Sequence, residues 1–462
     1  MSTKITKIGE KTHVVNIKTG QDARVFAFGD MPVNTFENLI AVSKNIDWES
    51  DPYAFNNVRL VSHGVNNNLP VIIRDIMDQN NLAPGILERE MGLLYGNGPA
   101  LYKLNYQGGF MVRDYIQDPE IEEWLNSWDH KRYLDMAMVE FKYMKGVYVK
   151  RTRNRGPRVG NDGKIIRLEV IPSTDARLEW PEDPKPKRLE YVNSIWVGDF
   201  QNHCLHTGMT PYPVYRPNDP FKFGVSVGYH NKYSFGRNFY SVPSYYGSLN
   251  WIMRSSDIPE VLRYLSENGI TSAFHIHVPE KYWIAKQERL EKNNPTMTDA
   301  QLDELLEEAK VELFRKMALV LTGKKNAGKF IETTDFFDED GNLCKWEITA
   351  IDQKVKDFIE AQLKISEKAD SATTSGMGLH PSLSNIIVQG KMSGGSEMLY
   401  ALKLYMASDT TIPEEVVMEP INQAIVANFP GKKGIRLGFY HNTVRKEEDV
   451  APNNRVTNTV TE

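Results

Sequence analysis

Polar and apolar positions follow two different periods along this chain, and the switches between them lay out its elements. After a short β-like start over residues 1–30, "NTFENLIAVSKN" and "LPVIIRDIMDQNN" place apolar residues on one helix face, with Asn34 and Asn68 as N-caps. "APGILEREMGLLYGNGPALY" continues the helical period, with Pro84 early in the helix and Gly96 and Gly98 ending it. A helical pair follows in "DPEIEEWLNSWDHKRYLDMAMVEFKYMKG", up to Gly146. The period then drops to two. "VYVKRTR", "KIIRLEVI", "ARLEW" and "LEYVNSIWV" predict strands separated by turn residues such as "NDGK".

Residues 201–243, rich in Tyr, Phe, Pro and Gly, predict loops with short strands. "SYYGSLNWIMRSSDIPEVLRYLSENG" predicts a long helix closed by Gly269, and "SAFHIHV" a strand. "TMTDAQLDELLEEAKVELFRKM" reads as a helix capped by Thr298, and "FIETTDFFDEDGNLCKWEITAI" as a hairpin turning at Asp340-Gly341. "DQKVKDFIEAQLKISEKADSA" is helical again. A Gly/Ser-rich loop, "HPSLSNIIVQGKMSGGS", then leads into two helical segments, "SEMLYALKLYMASDTTI" and "PEEVVMEPINQAIVANF". The polar tail after Arg445 is expected to be disordered. No internal repeat is visible.

Composition narrows the class. The 462 residues are 41% hydrophobic and 25% charged, an ordinary balance for a protein with real cores. A net charge of -5 argues against a generally basic nucleic-acid binder. Two cysteines, Cys204 and Cys344, exclude a disulfide scaffold and fit a reducing compartment. The start "MSTKITKIGEKTHVV" lacks an apolar h-region, and no run approaches the ~18 residues that span a bilayer. A cytoplasm-like site of use and no membrane role are expected.

One motif competes for a catalytic reading. In "TGKKNAGKFIETT", Gly323, Gly328 and Lys329 stand at the G-x-x-x-x-G-K spacing of a phosphate-binding loop. Such a loop needs a Ser or Thr after the lysine to bind magnesium, and a helix whose N-terminus faces the phosphates. Phe330 takes the hydroxyl position, and a hairpin rather than a helix is expected downstream. "MALVL" ahead of it is compatible with a strand. The motif is read as a Gly- and Lys-rich surface turn, with a packaging ATPase as the least favoured alternative. "FFDEDGNLCKWE" resembles a calcium loop, but Phe336 stands where the first Asp ligand belongs. His275 and His277 share a strand face, and "HCLH" offers His203, Cys204 and His206; neither has a second ligand pair at zinc spacing. No nucleophile elbow occurs. The aromatic run "YHNKYSFGRNFYSVPSYYGSLNW" is read as core or subunit interface before any stacking platform.

Three blocks taken in order carry a resemblance. The first runs from helices ending "YGNGPALY" through "MKGVYVKR" to "IRLEVIPSTDARLEW". The second is "FGRNFYSVPSYYGSLNWIMRSSDIPEVLRYLSENG", a Gly-aromatic turn before a long helix. The third is "MGLHPSLSNIIVQGKMSGGSEMLYALKLYMASDTTIPEEVVMEPIN". Over residues 80–430 this order resembles the portal proteins of tailed double-stranded DNA bacteriophages. The resemblance implies an α+β, ring-forming subunit of about twelve copies at one capsid vertex, closed by a repeated heterologous interface. Such a ring is a channel for packaging and ejecting double-stranded DNA, which passes without sequence recognition. It docks terminase, major capsid or scaffold proteins, and head-tail adaptors. The implied locations are the virion and, during assembly, the host cytoplasm.

On that pattern residues 1–243 are the N-terminal part of a wing and 244–268 the first stem helix. Residues 269–352 are an inserted α/β clip, and 353–383 the second stem helix. Residues 384–395 are a tunnel loop, 396–444 return to the wing or a short crown, and 445–462 are the tail. The resemblance makes Ile386, Ile387, Val388, Gln389, Lys391 and Met392 the residues facing DNA, with Lys391 the direct charge contact; by their apolar run alone, Ile386, Ile387 and Val388 also fit a short buried strand. It puts Lys324, Lys325 and Lys329 on the clip surface. Neither enzymatic activity, cofactor, metal nor membrane is implied. Another virion structural protein, an adaptor or capsid-associated chain, is the alternative.

Overall fold

The computed structural model describes residues 3–7, 12–19, 21–28, 48–55, 58–154, 163–200, 208–267, 273–295, 297–321, 336–337, 343–344, 346–351, 355–384 and 395–442. The chain divides into a smaller unit, Met1–Asn34 with Ser255–Lys368, and a larger unit, Thr35–Arg254 with Ala369–Glu462. The helix expected in "NTFENLIAVSKN" with its cap Asn34, the "HCLH" segment and the tail after Arg445 lie outside the described residues. Every described strand pair is antiparallel, and the helices alternate with small sheets, an α+β arrangement. The smaller unit opens with a meander of β1 (Thr3–Lys7), β2 (Thr12–Thr19) and β3 (Gln21–Phe28).

The larger unit begins with the hairpin β4 (Tyr53–Phe55) and β5 (Val58–Leu60). Helix α1 (Leu69–Asp78) buries Leu69, Ile72, Ile73 and Ile76 at helical spacing, and Pro70 starts it without losing a needed donor. Asn68 stands at its N-cap, but its side chain makes no capping bond; Leu69 N–H bonds instead to the His63 carbonyl at 2.9 Å. Helix α2 (Ala83–Tyr95) is capped by Asn80, whose Oδ1 accepts the N–H groups of Leu82 and Ala83. It stops at Gly96, at φ 55°, where a Cβ would lie 2.6 Å from the Tyr440 carbonyl oxygen. After the hairpin β6 (Pro99–Gln107) and β7 (Phe110–Tyr115) come α3 (Pro119–Asn126) and α4 (His130–Met144). Asp118 and Asp129 cap these helices through backbone N–H groups of their first turns.

Strands β8 (Gly146–Arg153) and β9 (Ile165–Ile171) form one sheet with β13 (Val225–Asn231), in the order β13-β8-β9. A second sheet joins β10 (Ala176–Leu178), β11 (Ser194–Val197) and β12 (Thr210–Pro213). Only half of "LEYVNSIWV" is strand, because Leu189–Tyr191 closes a 3-10 turn first. The aromatic run is part core, part surface. Phe239, Tyr240 and Tyr245 are buried, whereas Tyr233 and Phe235 are exposed.

Helix α5 (Leu249–Glu267) carries the chain out of the larger unit. In the smaller unit β14 (Ala273–His277) pairs with β17 (Glu347–Ile351), and helices α6 (Glu280–Asn293) and α7 (Asp299–Leu321) pack together. The hydrophobic period did not predict α6. Gln301 Oε1 accepts the Thr298 N–H at 3.1 Å, reaching back from the third position of α7. Strands β15 (Phe336–Phe337) and β16 (Leu343–Cys344) make the expected hairpin, whose turn is outside the described residues. Helix α8 (Val355–Met377) carries the chain back.

The larger unit is completed by α9 (Gly395–Leu404), a π turn over Tyr405–Asp409, α10 (Thr411–Asn428) and β18 (Ile435–Phe439), which pairs with β6. Helix α10 is fastened by side chains that imitate strands. The Asn422 amide pairs with both backbone groups of Leu437, at 3.1 and 2.7 Å, and the Asn428 amide with both of Ile165, at 2.8 and 2.9 Å. Glu414 takes both Arg113 amino groups, at 2.7 and 2.9 Å, and the Phe439 N–H. Around these bonds Val417, Ile421, Ala424 and Ile425 join Leu134, Phe141 and Val149 in the main core.

Candidate functional site

Ile386, Ile387, Val388, Gln389, Lys391 and Met392 lie outside the described residues, and so do Lys324, Lys325 and Lys329. The residues that flank 385–394 on both sides are described, and they belong to the larger unit. Helix α8 ends at Gly378, whose φ of 83° admits glycine and whose N–H returns to the Thr374 carbonyl at 3.2 Å. A tight turn follows, Leu383 N–H to His380 O at 2.8 Å. Ser382 Oγ then donates to Glu397 Oε1 at 3.2 Å, joining the two flanks of the loop across fifteen positions. Leu379 and Leu383 on one flank and Ala401 and Tyr405 beyond the other enter one core with Ile73, Leu249 and Ile252. Both ends of the loop are therefore seated on the same apolar layer.

The 3-10 turn Ser244–Ser248 that precedes α5 and the end of α8 meet closely here. A Cβ at Gly376 would lie 2.1 Å from Ser248 Oγ, so glycine permits the contact. Beside it Glu90 and Lys142, both buried, pair at 2.7 Å. Lys142 also donates to the Tyr405 hydroxyl at 3.3 Å, and that hydroxyl donates to the Glu90 carbonyl at 3.2 Å. The network ties α2, α4 and the π turn together with its charges matched, the condition under which a buried ion pair is tolerated. Lys145, one residue past α4, is less fortunate. Burial, then the neighbouring Lys142 ammonium, draws its pKa down to about 8.

A second polar cluster lies on the main sheet. Arg151 on β8 is buried; its Nη2 donates to His230 Nε2 at 3.0 Å and to Gln423 Oε1 at 2.9 Å. Because Nε2 accepts, Nδ1 carries the proton and faces Glu419 Oε2 at 3.3 Å. Burial lowers the pKa of His230 and brings that of Arg151 to about 10. The guanidinium lies 3.8 Å from the Tyr215 ring centre. This cluster fastens β8, β13 and α10 to one another. Its role is structural.

The other sequence candidates separate. Helix α7 runs through Leu321, so "MALVL" is helix, not the strand that a phosphate-binding loop requires ahead of Gly323. In β14, His275 and His277 stand opposite Thr349 and Glu347. Among the described residues no three His, Cys, Asp or Glu side chains converge to hold a metal ion. No described helix is long and apolar enough to cross a membrane. The Glu90–Lys142 pair had a signal that the charge reading passed over. Glu90 follows Ile86, and Lys142 follows Met138, by four residues, which puts both on apolar helix faces.

No protein-family model matches the chain. No curated protein matches it either. Similar solved structures include a chain in the neck of an empty GTA particle computed with C6 symmetry, 12% identical with a TM-score of 0.43, covering 79% of this chain and 83% of that one. A chain in the virion of a native gene transfer agent particle is 11% identical with a TM-score of 0.42, over 79% and 82%. A chain in the neck of a native GTA particle computed with C12 symmetry is 13% identical with a TM-score of 0.38, over 80% and 79%.

Proposed function

We propose that this protein is a portal subunit, one of a ring of about twelve that closes at a capsid vertex through a repeated heterologous interface. The observation that carries the reading is the insertion. Residues Ser255–Lys368 form part of a separate unit that the chain enters along α5, of 19 residues, and leaves along α8, of 23 residues. At 1.5 Å per residue these are rods of about 29 and 35 Å, long enough to line a channel in many copies. Residues 1–243 with 396–444 are then the wing, α5 and α8 the stem, and residues 269–352 the clip that docks terminase and head-tail adaptors. The loop whose flanks Ser382 and Glu397 join is the tunnel loop, with Ile386 to Met392 facing DNA. A chain of net charge -5 releases few counterions from passing DNA, so the duplex slides rather than sticks. The subunit is not an enzyme in this reading. The helix that precedes Gly323 and the Phe330 that follows Lys329 both argue against nucleotide hydrolysis.

Electron-microscopy class averages of the purified protein test the proposal. Rings with a central hole are expected, whereas a population of monomers or closed dimers would refute it. Nucleotide turnover by the same preparation, abolished by Lys329→Ala, would move the protein into the packaging-ATPase class.

A further inference from the structure

Where α8 ends, the larger unit holds a cleft of about 200 Å³. At ~30 Å³ per water it has room for roughly seven waters. Phe141 and Met377 give it an apolar side, and Glu90, Lys142, Lys145, Lys232 and Asp409 a charged one. Glu90 and Lys142 neutralise each other at 2.7 Å. Asp409 accepts the Ser408 hydroxyl at 2.8 Å. Lys145 and Lys232 have no carboxylate at ion-pair distance among the described residues, so the cleft carries an excess of positive charge. The two lysines are brought together by the backbone: the Lys232 N–H donates to the Lys145 carbonyl at 3.0 Å. Lys145 is itself fixed in the left-handed region, at φ 55°, with its N–H on the Phe141 carbonyl at 2.7 Å. Its ammonium lies 5.5 Å from the Phe141 ring centre. A half-buried ammonium without a counterion is costly to keep, and the fold keeps it facing a cavity.

We propose that this cleft binds a small tetrahedral oxyanion of the phosphate class between the ammonium groups of Lys145 and Lys232. The anion replaces the water that Lys145 loses on burial and makes charge-assisted hydrogen bonds to both lysines. The Asp409 carboxylate opposes it. The cleft holds a free anion with accompanying waters and is too small for a nucleic-acid duplex. The groups that face Lys145 are Glu90 from α2, Lys142 from its own helix, Lys232 at the end of β13, and Tyr405 and Asp409 from the π turn. A bound anion favours the charged form of Lys145, whose pKa in the free cleft is about 8. Binding therefore takes up a proton above that pH, and the affinity falls as the pH rises through 8. None of this depends on the ring.

Thermal melting of the full-length protein in sodium phosphate, against sodium chloride at matched ionic strength, tests the site. At pH 7 phosphate is expected to raise the midpoint by several degrees, and at pH 9.5 to lose most of that effect. Lys145→Met should melt higher than the parent in chloride, because it removes the strained charge, and should no longer respond to phosphate. Lys232→Met leaves the buried structure untouched and should weaken phosphate by roughly tenfold, a 1.4 kcal/mol loss. Asp409→Asn should tighten it. Equal responses of the parent protein to phosphate and chloride would overturn the proposal, as would an unchanged phosphate affinity in Lys232→Met. Tighter binding of a short single-stranded oligothymidylate than of phosphate would reassign the cleft to nucleic acid and also overturn it.

Discussion

The two units of this chain hold their shape by different means. In the larger one, polar side chains reach across the sequence: Arg113 meets Glu414 over 301 positions, and Asn428 meets Ile165 over 263. In the smaller unit, two ion pairs along helix α7 are local. Lys310 meets Glu307 three positions away, and Lys316 meets Glu312 four positions away. Buried long-range pairs are satisfied only when several elements dock together, so the larger unit should unfold as one body. Local pairs stabilise a helix whether or not it is docked. A part held that way adjusts its surface at small cost. On the portal reading a rigid frame carries an adaptable docking part.

Removing one partner of a buried pair should show the contrast most strongly. Glu90→Ala strands the Lys142 ammonium in the core and is expected to cost about 3–5 kcal/mol in urea unfolding. Glu90→Leu with Lys142→Met should recover most of the loss. A single-variant loss near zero would mean that this pair holds nothing. Next comes Asn428→Ala, which leaves the Ile165 N–H unpaired while the Ile165 carbonyl keeps the Trp124 indole N–H at 2.8 Å, a loss of about 1–3 kcal/mol. Hydrogen exchange should find the Ile165 amide among the sites most accelerated.

Acid should act on the larger unit through His63. This ring is buried, stacks on Tyr240 at 4.1 Å, and has no hydrogen-bond partner on either nitrogen among the described residues. Burial, and then the Arg177 charge, holds its pKa well below 6.5, while the unfolded chain keeps the ordinary value. The unfolded state therefore binds the proton first as pH falls. Stability should be intact above pH 6.5 and decline below it, with His230 contributing in the same direction. Melting of His63→Phe from pH 7 to 5 should give a flatter profile than the parent. The smallest effect belongs to the smaller unit. Glu312→Gln removes one exposed helix pair and should lower the melting midpoint by no more than about a degree. A loss several times larger would show that α7 depends on more than its own turns.

Periodicity made the helices at 69–78, 83–95, 119–126 and 130–144 legible, because each buries one face against a core. It failed at α6, where "EKYWIAKQERLEKN" carries too few apolar residues to mark a stripe, although the helix packs on α7. "MALVL" misled because a short apolar run fits either period, and the preceding helical turns extend through it. Asn68 sits at the right boundary yet does not cap, and Pro70 at the second helical position offers no N–H for its side chain to accept. The frame of the loop was out of reach for a simpler reason. Nothing in "HPSLS" or "GGSEM" marks Ser382 and Glu397 as partners, because the bond exists only after both flanks are seated. The lysine cleft was equally hidden: Lys145 and Lys232 are ordinary charges until a backbone hydrogen bond sets them side by side.

The bond between Ser382 and Glu397 has a consequence for how this chain can vary. It joins positions 382 and 397 directly, so the two flanks are held at a fixed separation by a contact that lies outside residues 385–394. Doubling the length of a closed loop adds only ~0.6 kcal/mol of chain entropy. Insertions between residues 385 and 394 should accordingly be tolerated by the fold, which makes that interval a ready place for a reporter tag. In related chains, it is where lengths should diverge first while the flanking turns stay in register.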